Sequence, residues 1–264
     1  MHEILKRLPR GARVLDLGCA GGSFRDEDTD AAVVRCDLDP RVPQGADAVR
    51  ADARQLPFTA RSFDAVILNH SLEHFLTPDA VLAEIGRVVR EDGSLWVAVP
   101  DASTLTDRIY RWLGRGGGHV NFFRDASELV ALVERETGLR HIGTRVLFTS
   151  LSFLNRRNFS ARAPRRLWLL GGGAEWVVRW GTFLLRRMDR VFGTQLAVYG
   201  WGCCFGRPLV FDSTLWTNVC VRCGAGVPAE RLMANGGVRR RWFGVRAFAC
   251  PSCGAENYFT DDAA

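Results

Sequence analysis

The chain has 264 residues, 47% hydrophobic and 24% charged, a globular balance that excludes a disordered, fibrous or low-complexity protein. Its net charge of +6 is local: between residues 151 and 192 nine arginines meet only Glu175 and Asp189, so the rest of the chain is close to neutral. No apolar stretch reaches the about 18 residues of a membrane span and the N-terminus has no signal-peptide core, so the expected location is the cytoplasm.

A short helix over residues 2–8 leads into the apolar run Arg13–Leu17, which ends at Gly18. Further runs fall at residues 31–36, closed by Asp37, at 63–68, and at 94–99, stopped by Pro100. Continuous apolar runs of this kind predict strands buried on both faces, as in a parallel sheet covered by helices. Between the last two, Val81, Leu82, Ile85, Val88 and Val89 recur at helical spacing, and Asp92-Gly93 closes that helix. A second amphipathic helix is predicted over 125–137, stopped by Gly138, followed by strands over 139–147 and 195–205. Strands alternating with helices predict an α/β doubly wound domain.

The first strand ends in Asp16-Leu17-Gly18-Cys19-Ala20-Gly21-Gly22. Glycines there let the backbone approach a ligand, and a following helix N-terminus offers free N–H groups. Many nucleotide-binding folds carry such a turn, so its neighbours matter more. Asp37 closes the second strand about 20 residues later, where a carboxylate accepts from two ribose hydroxyls. Asp52 follows, where an acid can accept from an adenine amine. Asn69-His70-Ser71-Leu72-Glu73-His74 then sits at the rim where α/β sheets place their chemistry.

These segments, with Ala51-Asp52-Ala53, Leu56-Pro57-Phe58, Phe63-Asp64-Ala65-Val66, Leu72-Glu73-His74 and the turn at Gly93, resemble class I S-adenosylmethionine-dependent methyltransferases, closest to the small-molecule and quinone-type O- and C-methyltransferases. The resemblance covers roughly the first 145 residues and rests on motif order and spacing. It implies a Rossmann-like seven-stranded sheet whose last strand runs antiparallel, with S-adenosylmethionine as cofactor. Carried over, Asp16, Gly18 and Gly22 line the methionine end, Asp37 the ribose and Asp52 the adenine, with Cys19, Leu38, Ala53 and Asn69 beside them. Ala20 stands where the family has the middle glycine of the turn. Cys19 and Cys36 read as small buried residues, not nucleophiles.

Methyl transfer from a sulfonium is an in-line displacement whose leaving group needs no proton, so the enzyme must align the acceptor and, for a hydroxyl, remove its proton. His119, between a glycine run and Phe122-Phe123, is the candidate base, with His74 as a second candidate. Each has a plainer reading, His119 as a loop anchor and His74 as a packing residue. The segment from Asn69 to Leu72 departs from the Asn/Asp-Pro-Pro-aromatic pattern of amino-methylating nucleic-acid enzymes, and it lacks the cysteine of cytosine C5 enzymes. An oxygen, or an activated carbon, of a small-molecule, glycan or lipid-linked acceptor is the expected target. An RNA methyltransferase and a non-catalytic S-adenosylmethionine-binding protein are the alternatives.

Residues 148–194 form an insertion between the last two strands, where this fold usually has a hairpin. Trp168, Trp176, Trp180, Phe183 and Phe192 argue against disorder. At about 100° per residue, Glu175, Arg179, Thr182, Arg186 and Arg190 share one narrow face of a helix. Trp176, Val177, Trp180, Leu184, Met188 and Val191 take the opposite arc, with Arg187 the exception. One reading packs the apolar arc on the core as a lid and leaves the arginines in water. Another lays residues 164–192 on an anionic membrane surface as a peripheral contact. Nucleic-acid contact is the third.

Near the C-terminus, Cys220-x-x-Cys223-Gly224 and Cys250-x-x-Cys253-Gly254 repeat one knuckle. Two such knuckles supply the four thiolates of a closed structural zinc site, in a module that resembles a zinc ribbon over residues 216–258. Cys203 and Cys204 lie in a predicted strand and point to opposite faces, outside that set. The expected division is a methyltransferase domain over 1–211, including the insertion, and a zinc ribbon over 212–264.

Overall fold

The computed structural model describes residues 2–20, 22–24, 29–39, 47–113, 118–159, 164–207, 216–234 and 236–260. Helix α1 (His2–Arg7) precedes β1 (Arg13–Leu17), which pairs in parallel with β2 (Ala32–Asp37). β2 pairs in turn with the three-residue β3 (Ala48–Arg50). On its other side β1 pairs with β4 (Phe63–Asn69). Helix α2 (Pro78–Val88) starts on Pro78, whose fixed φ suits a first turn, and buries the predicted Val81, Leu82, Ile85 and Val88. It returns the chain to β5 (Val89–Pro100), parallel to β4. Then come α3 (Leu105–Leu113), α4 (Ala126–Thr137), β6 (His141–Phe148), α5 (Glu175–Phe192) and β7 (Val198–Gly206). The seven strands form one mixed sheet in the order β3-β2-β1-β4-β5-β7-β6, the last strand antiparallel, as expected.

That order places β1 and β4 side by side while their connections leave toward opposite edges. Such a switch opens a crevice outside the carboxyl ends of the strands. β1, β4 and β5 bury Leu15, Leu17, Val66, Leu68, Leu95 and Val97 in the core, so the rim above them has a rigid base. Gly86 lets α2 approach α4 closely, since a Cβ there would stand 2.8 Å from the Thr137 carbonyl oxygen. Asp125 caps α4 by accepting from the Ser127 N–H, and Gly138, at φ +70°, ends it.

β3 and α3 are among the elements that the sequence reading did not predict. β3 is too short to make an apolar run. α3 carries Leu105, Ile109, Trp112 and Leu113 at helical spacing, a signal the sequence reading did not use, and it buries Thr106 and Asp107 beside Leu113. Arg111 holds the buried Asp107 carboxylate at 2.6 Å.

The chain divides into two compact units. The first comprises Met1–Asp101, His119–Arg145 and Trp201–Ser213, and the second Ala102–Gly118, Val146–Gly200 and Thr214–Ala264. The boundary expected between residues 211 and 212 lies outside the described residues. The second unit has a core of its own in which Leu113, Leu151, Leu154, Leu167, Val178 and Val221 meet. Its C-terminal part contains the pair β8 (Asn218–Val219) and β9 (Gly226–Val227), and helix α6 (Ala229–Ala234). An antiparallel sheet of β10 (Val238–Arg240), β11 (Arg246–Ala249) and β12 (Glu256–Tyr258) follows.

The insertion helix forms where expected but turns the other way. α5 buries Val178, Thr182 and Arg186, while Trp176, Leu184, Met188 and Val191 are exposed. The polar face is inward because it finds partners there. Thr182 Oγ1 donates to the Ser150 carbonyl at 2.8 Å, and Arg186 donates to the carbonyls of Thr149 (3.1 Å) and Val219 (3.4 Å). Arg179 meets the Glu256 carboxylate at 2.8 Å, and Glu175 receives both arms of Arg222 at 2.9 Å. Buried charges are tolerated when paired in this way. The lid with solvated arginines is thereby corrected. No helix among the described residues is long and apolar enough to cross a membrane.

Candidate active site and metal centre

Four neighbouring strands deliver the sequence-selected residues to their carboxyl ends. Asp16, Gly18, Cys19 and Gly22 lie at the end of β1, Asp37 and Leu38 at the end of β2, Asp52 and Ala53 just after β3, and Asn69 at the end of β4. Asp16 is fully buried; its Oδ2 accepts from the Ser23 N–H at 2.9 Å, while among the described residues Oδ1 meets no partner. Burial raises its pKa. A buried carboxylate oxygen left open in a turn suits a cationic donor from outside the protein.

Gly18 has φ +67°, and a Cβ on it would stand 2.6 Å from that of Ser71, so only glycine serves where the turn passes the end of β4. Ser71 Oγ closes the approach by donating to the Leu17 carbonyl at 3.1 Å. Ala20 adopts φ +46°, a left-handed conformation that the usual glycine takes without strain. Its N–H is held by Asp37 Oδ2 at 2.6 Å, and Asp37 Oδ1 accepts from the Asp39 N–H at 2.8 Å. Burial pushes the Cys19 thiol up to about 12 and the Cys36 thiol up to about 11, which leaves both protonated and poor nucleophiles. Asp52 pairs with Arg54 at 2.7 Å on the surface; the guanidinium's hydrogen bonds hold its carboxyl at about 2. Leu38 is exposed and Ala53 buried.

The rim after β4 assembles a second group. His70 takes φ +56° and donates its N–H to the Ala98 carbonyl on β5 at 2.9 Å. The residue is half-buried but its Nδ1 is fully covered, and this burial, with His119 and His74 nearby, lowers its pKa to about 4. Its imidazole is neutral at physiological pH. Downstream, the N–H groups of Val120 and Asn121 donate to the Glu73 carbonyl at 2.9 and 3.0 Å, and Asn121 Nδ2 donates to the Phe75 carbonyl at 2.5 Å. These bonds pin the loop so that the His119 ring stands edge-on to that of His74, with centroids 4.9 Å apart. Side-chain donor atoms of Glu73, His74 and His119 lie within 4.8 Å of one another, a spacing that can share a proton or hold a cation. Sequence reading selected the two histidines but singled out neither Glu73 nor His70. The signal was the run from His70 to His74, which sets four polar side chains at one rim. Gly116 and Gly117 of the glycine run lie outside the described residues.

In the second unit the four knuckle cysteines converge. Cys220 and Cys253 Sγ are 3.6 Å apart, and Cys223 and Cys250 Sγ are 3.7 Å apart. Zinc–sulfur bonds of about 2.3 Å in a tetrahedron set the sulfurs about 3.8 Å apart, so the donor set fits Zn2+. The two knuckles share one backbone pattern: Cys220 N–H to Ala225 carbonyl and Gly224 N–H to Cys220 carbonyl, repeated as Cys250 to Ala255 and Gly254 to Cys250. Gly224 and Gly254 supply the positive φ each turn needs. The Arg222 N–H and Asn257 Nδ2 approach Cys220 Sγ at 3.4 and 3.5 Å, contacts suited to a thiolate.

Comparison with known proteins fits this geometry. Residues 1–142 match a family model described as a methyltransferase domain. The malonyl-[acyl-carrier protein] O-methyltransferase of Laribacter hongkongensis is 35% identical over 48% of this chain and 50% of its own length. The ubiquinone biosynthesis O-methyltransferase of Xanthomonas axonopodis is 31% identical over 50% and 64%. A tRNA (carboxymethyluridine(34)-5-O)-methyltransferase of Xenopus tropicalis is 30% identical over 37% of this chain and 17% of its own. The chain thus spans about half the length of the first of these relatives, and less than two thirds of each. In fold, it resembles one chain of the complex between the Haloferax volcanii Trm112 methyltransferase activator and a methyltransferase, at a TM-score of 0.51 and 16% identity, covering 79% of this chain and 88% of that one. A family match over more than half of the chain, on a sheet wound in this order, makes it a member of the class I S-adenosylmethionine-dependent methyltransferases.

Proposed function

We propose that the protein transfers a methyl group from S-adenosylmethionine to an oxygen of a small-molecule acceptor, a class in which we include glycans and lipid-linked intermediates. One observation carries the reading. Ser71 touches the glycine turn at Gly18 and Leu17, and three residues later His74 meets His119, so a cofactor-type turn and a basic cluster share one rim. The relatives support an oxygen acceptor, since all three are named as O-methyltransferases. When bound, S-adenosylmethionine supplies an electrophilic methyl on a sulfonium, whose departure needs no proton.

The chain's own residues do the rest. Asp16 Oδ1 takes the ammonium of the methionine end, and Asp37 accepts from the ribose hydroxyls. Asp52 takes the adenine amine, with Leu38 and Ala53 beside the base and Gly18, Cys19, Gly22 and Asn69 lining the floor. His119 accepts the acceptor's proton at a ring nitrogen, oriented by His74 and Glu73. Four thiolates from Cys220, Cys223, Cys250 and Cys253 hold a structural zinc.

Calorimetry tests the cofactor assignment. Asp37→Ala should weaken S-adenosylmethionine binding by about 10- to 100-fold, the worth of charge-assisted hydrogen bonds, while the exposed Arg135→Ala leaves it unchanged. Equal losses in both variants, or no binding by the native chain, would refute it. A labelled-methyl assay against lysate fractions then reads the acceptor class. The tRNA-modifying relative favours RNA as the second reading, and label entering RNA with a steep salt dependence would select it.

A further inference from the structure

We propose that the outward face of α5, with the turn Arg165–Leu170 before it, is a docking surface for an anionic lipid leaflet. Trp176, Trp180, Leu184, Met188 and Val191 form one stripe opposite the buried line of Val178, Thr182 and Arg186. Trp176 and Val191 are 62% and 64% exposed, and Trp168 and Leu169 of the preceding turn are each 76% exposed. At about 1.5 Å per residue the stripe runs about 24 Å. Apolar surface of that extent, left in water, marks an interaction site.

Charge selects the partner. Both acids of the segment are engaged by the protein. Glu175 is held by Arg222, and Asp189 accepts from Thr194 Oγ1 and the N–H groups of Leu196 and Ala197 at 2.6–2.7 Å. Arg165, Arg166 and Arg187 stand exposed, and Arg187 falls inside the stripe itself. A second copy of the chain, docking the same face on itself, would set this positive patch against its own image. A nucleic acid would use the arginines and tryptophans but leave Leu184, Met188 and Val191 without a base to stack on. An anionic leaflet takes both: tryptophan and aliphatic side chains enter the boundary of headgroups and chains, while arginines extend to the phosphates. Attachment of this kind lies on the surface and needs no span. It goes beyond the methyl-transfer reading and does not depend on it.

The test is co-sedimentation of the full chain with phosphatidylcholine vesicles, with and without phosphatidylglycerol. Binding to the anionic vesicles should exceed binding to the neutral ones by at least about 10-fold, and Arg187→Gln should lower it by about 5-fold. Trp176→Ser/Trp180→Ser should reduce it at least about 10-fold. Trp180 also packs against Tyr258, at 4.6 Å between centroids, so Leu184→Glu/Val191→Glu, which keeps that contact, serves as the second variant with the same expected loss. Unchanged zinc content reports that each variant is folded. Equal binding to both vesicles, no binding, or full binding by both double variants overturns the proposal. So does a native dimer that both double variants convert to monomer, which would assign the face to a second copy, or RNA binding that they abolish while vesicle binding is nil.

Discussion

Cys220→Ser or Cys253→Ser, or removal of the metal by a strong chelator, should unfold the C-terminal module and make the chain beyond about residue 212 protease-sensitive. The four sulfurs stand at zinc spacing, and the strands around them are short, with a core of little more than Val227, Leu232, Phe248 and Phe259. So small a core does not hold a fold alone. Structural zinc typically contributes about 10–16 kcal/mol of binding free energy, which for such a module is folding free energy. The effect should spread along defined contacts. Asn155 Nδ2 donates to the Val221 carbonyl, Arg186 to Val219, and Arg179 and Glu175 are paired with Glu256 and Arg222. Losing those partners leaves α5 with buried, unpaired charge, so the second unit should loosen as a whole. Elemental analysis should find one zinc per chain, and limited proteolysis of the variants should cut α5 as well as the knuckles. S-adenosylmethionine binding should survive, because every proposed cofactor contact lies in the first unit. If chelation abolishes cofactor binding as fast as it releases metal, the two units are one folding unit. A purified protein without metal would end the zinc assignment.

His119→Ala should lower turnover by about 10²- to 10⁴-fold and leave S-adenosylmethionine affinity almost intact, as the loss of a base does. His119 is held in place by backbone bonds from Val120 and Asn121 to Glu73, so the substitution removes the imidazole without releasing the loop. His74→Ala should act more weakly on turnover, since it orients the His119 ring from 4.9 Å and does not itself take the proton. Asn121→Ala distinguishes positioning from chemistry. It removes the bond to the Phe75 carbonyl, and a rate loss smaller than that of His119→Ala is expected. Single-turnover rates and cofactor titrations measure all three. An unchanged rate in His119→Ala would return the histidine to loop anchoring. A rate that rises with added divalent cation while the cysteine module keeps its zinc, and that loses this response in His74→Ala, would make the Glu73–His74–His119 cluster a metal site.

The amino-acid sequence by itself determined most of the first unit. Apolar runs at Arg13–Leu17 and residues 63–68 and 94–99 can be buried on both faces only inside a covered sheet, and their order with the helices dictates the winding. Motifs at Asp16, Asp37 and Asp52 were legible because each closes a strand or follows one, where chain direction alone sends it to the rim. The cysteine knuckles were legible because metal spacing is local, four residues at a time. β3 was not, since it is too short to carry a period, whereas α3 was overlooked although Leu105, Ile109, Trp112 and Leu113 recur at helical spacing. Tertiary structure decided what depends on distant partners. Glu73 joined the histidines only when the loop at His119 folded back onto its carbonyl. The clearest case is α5. Its two faces could be drawn from the sequence at helical spacing, but which one is buried depends on Ser150, Val219, Arg222 and Glu256, residues far along the chain that satisfy its polar side. An arginine face is buried at tolerable cost only where acceptors converge on it, and their convergence is a property of the folded molecule.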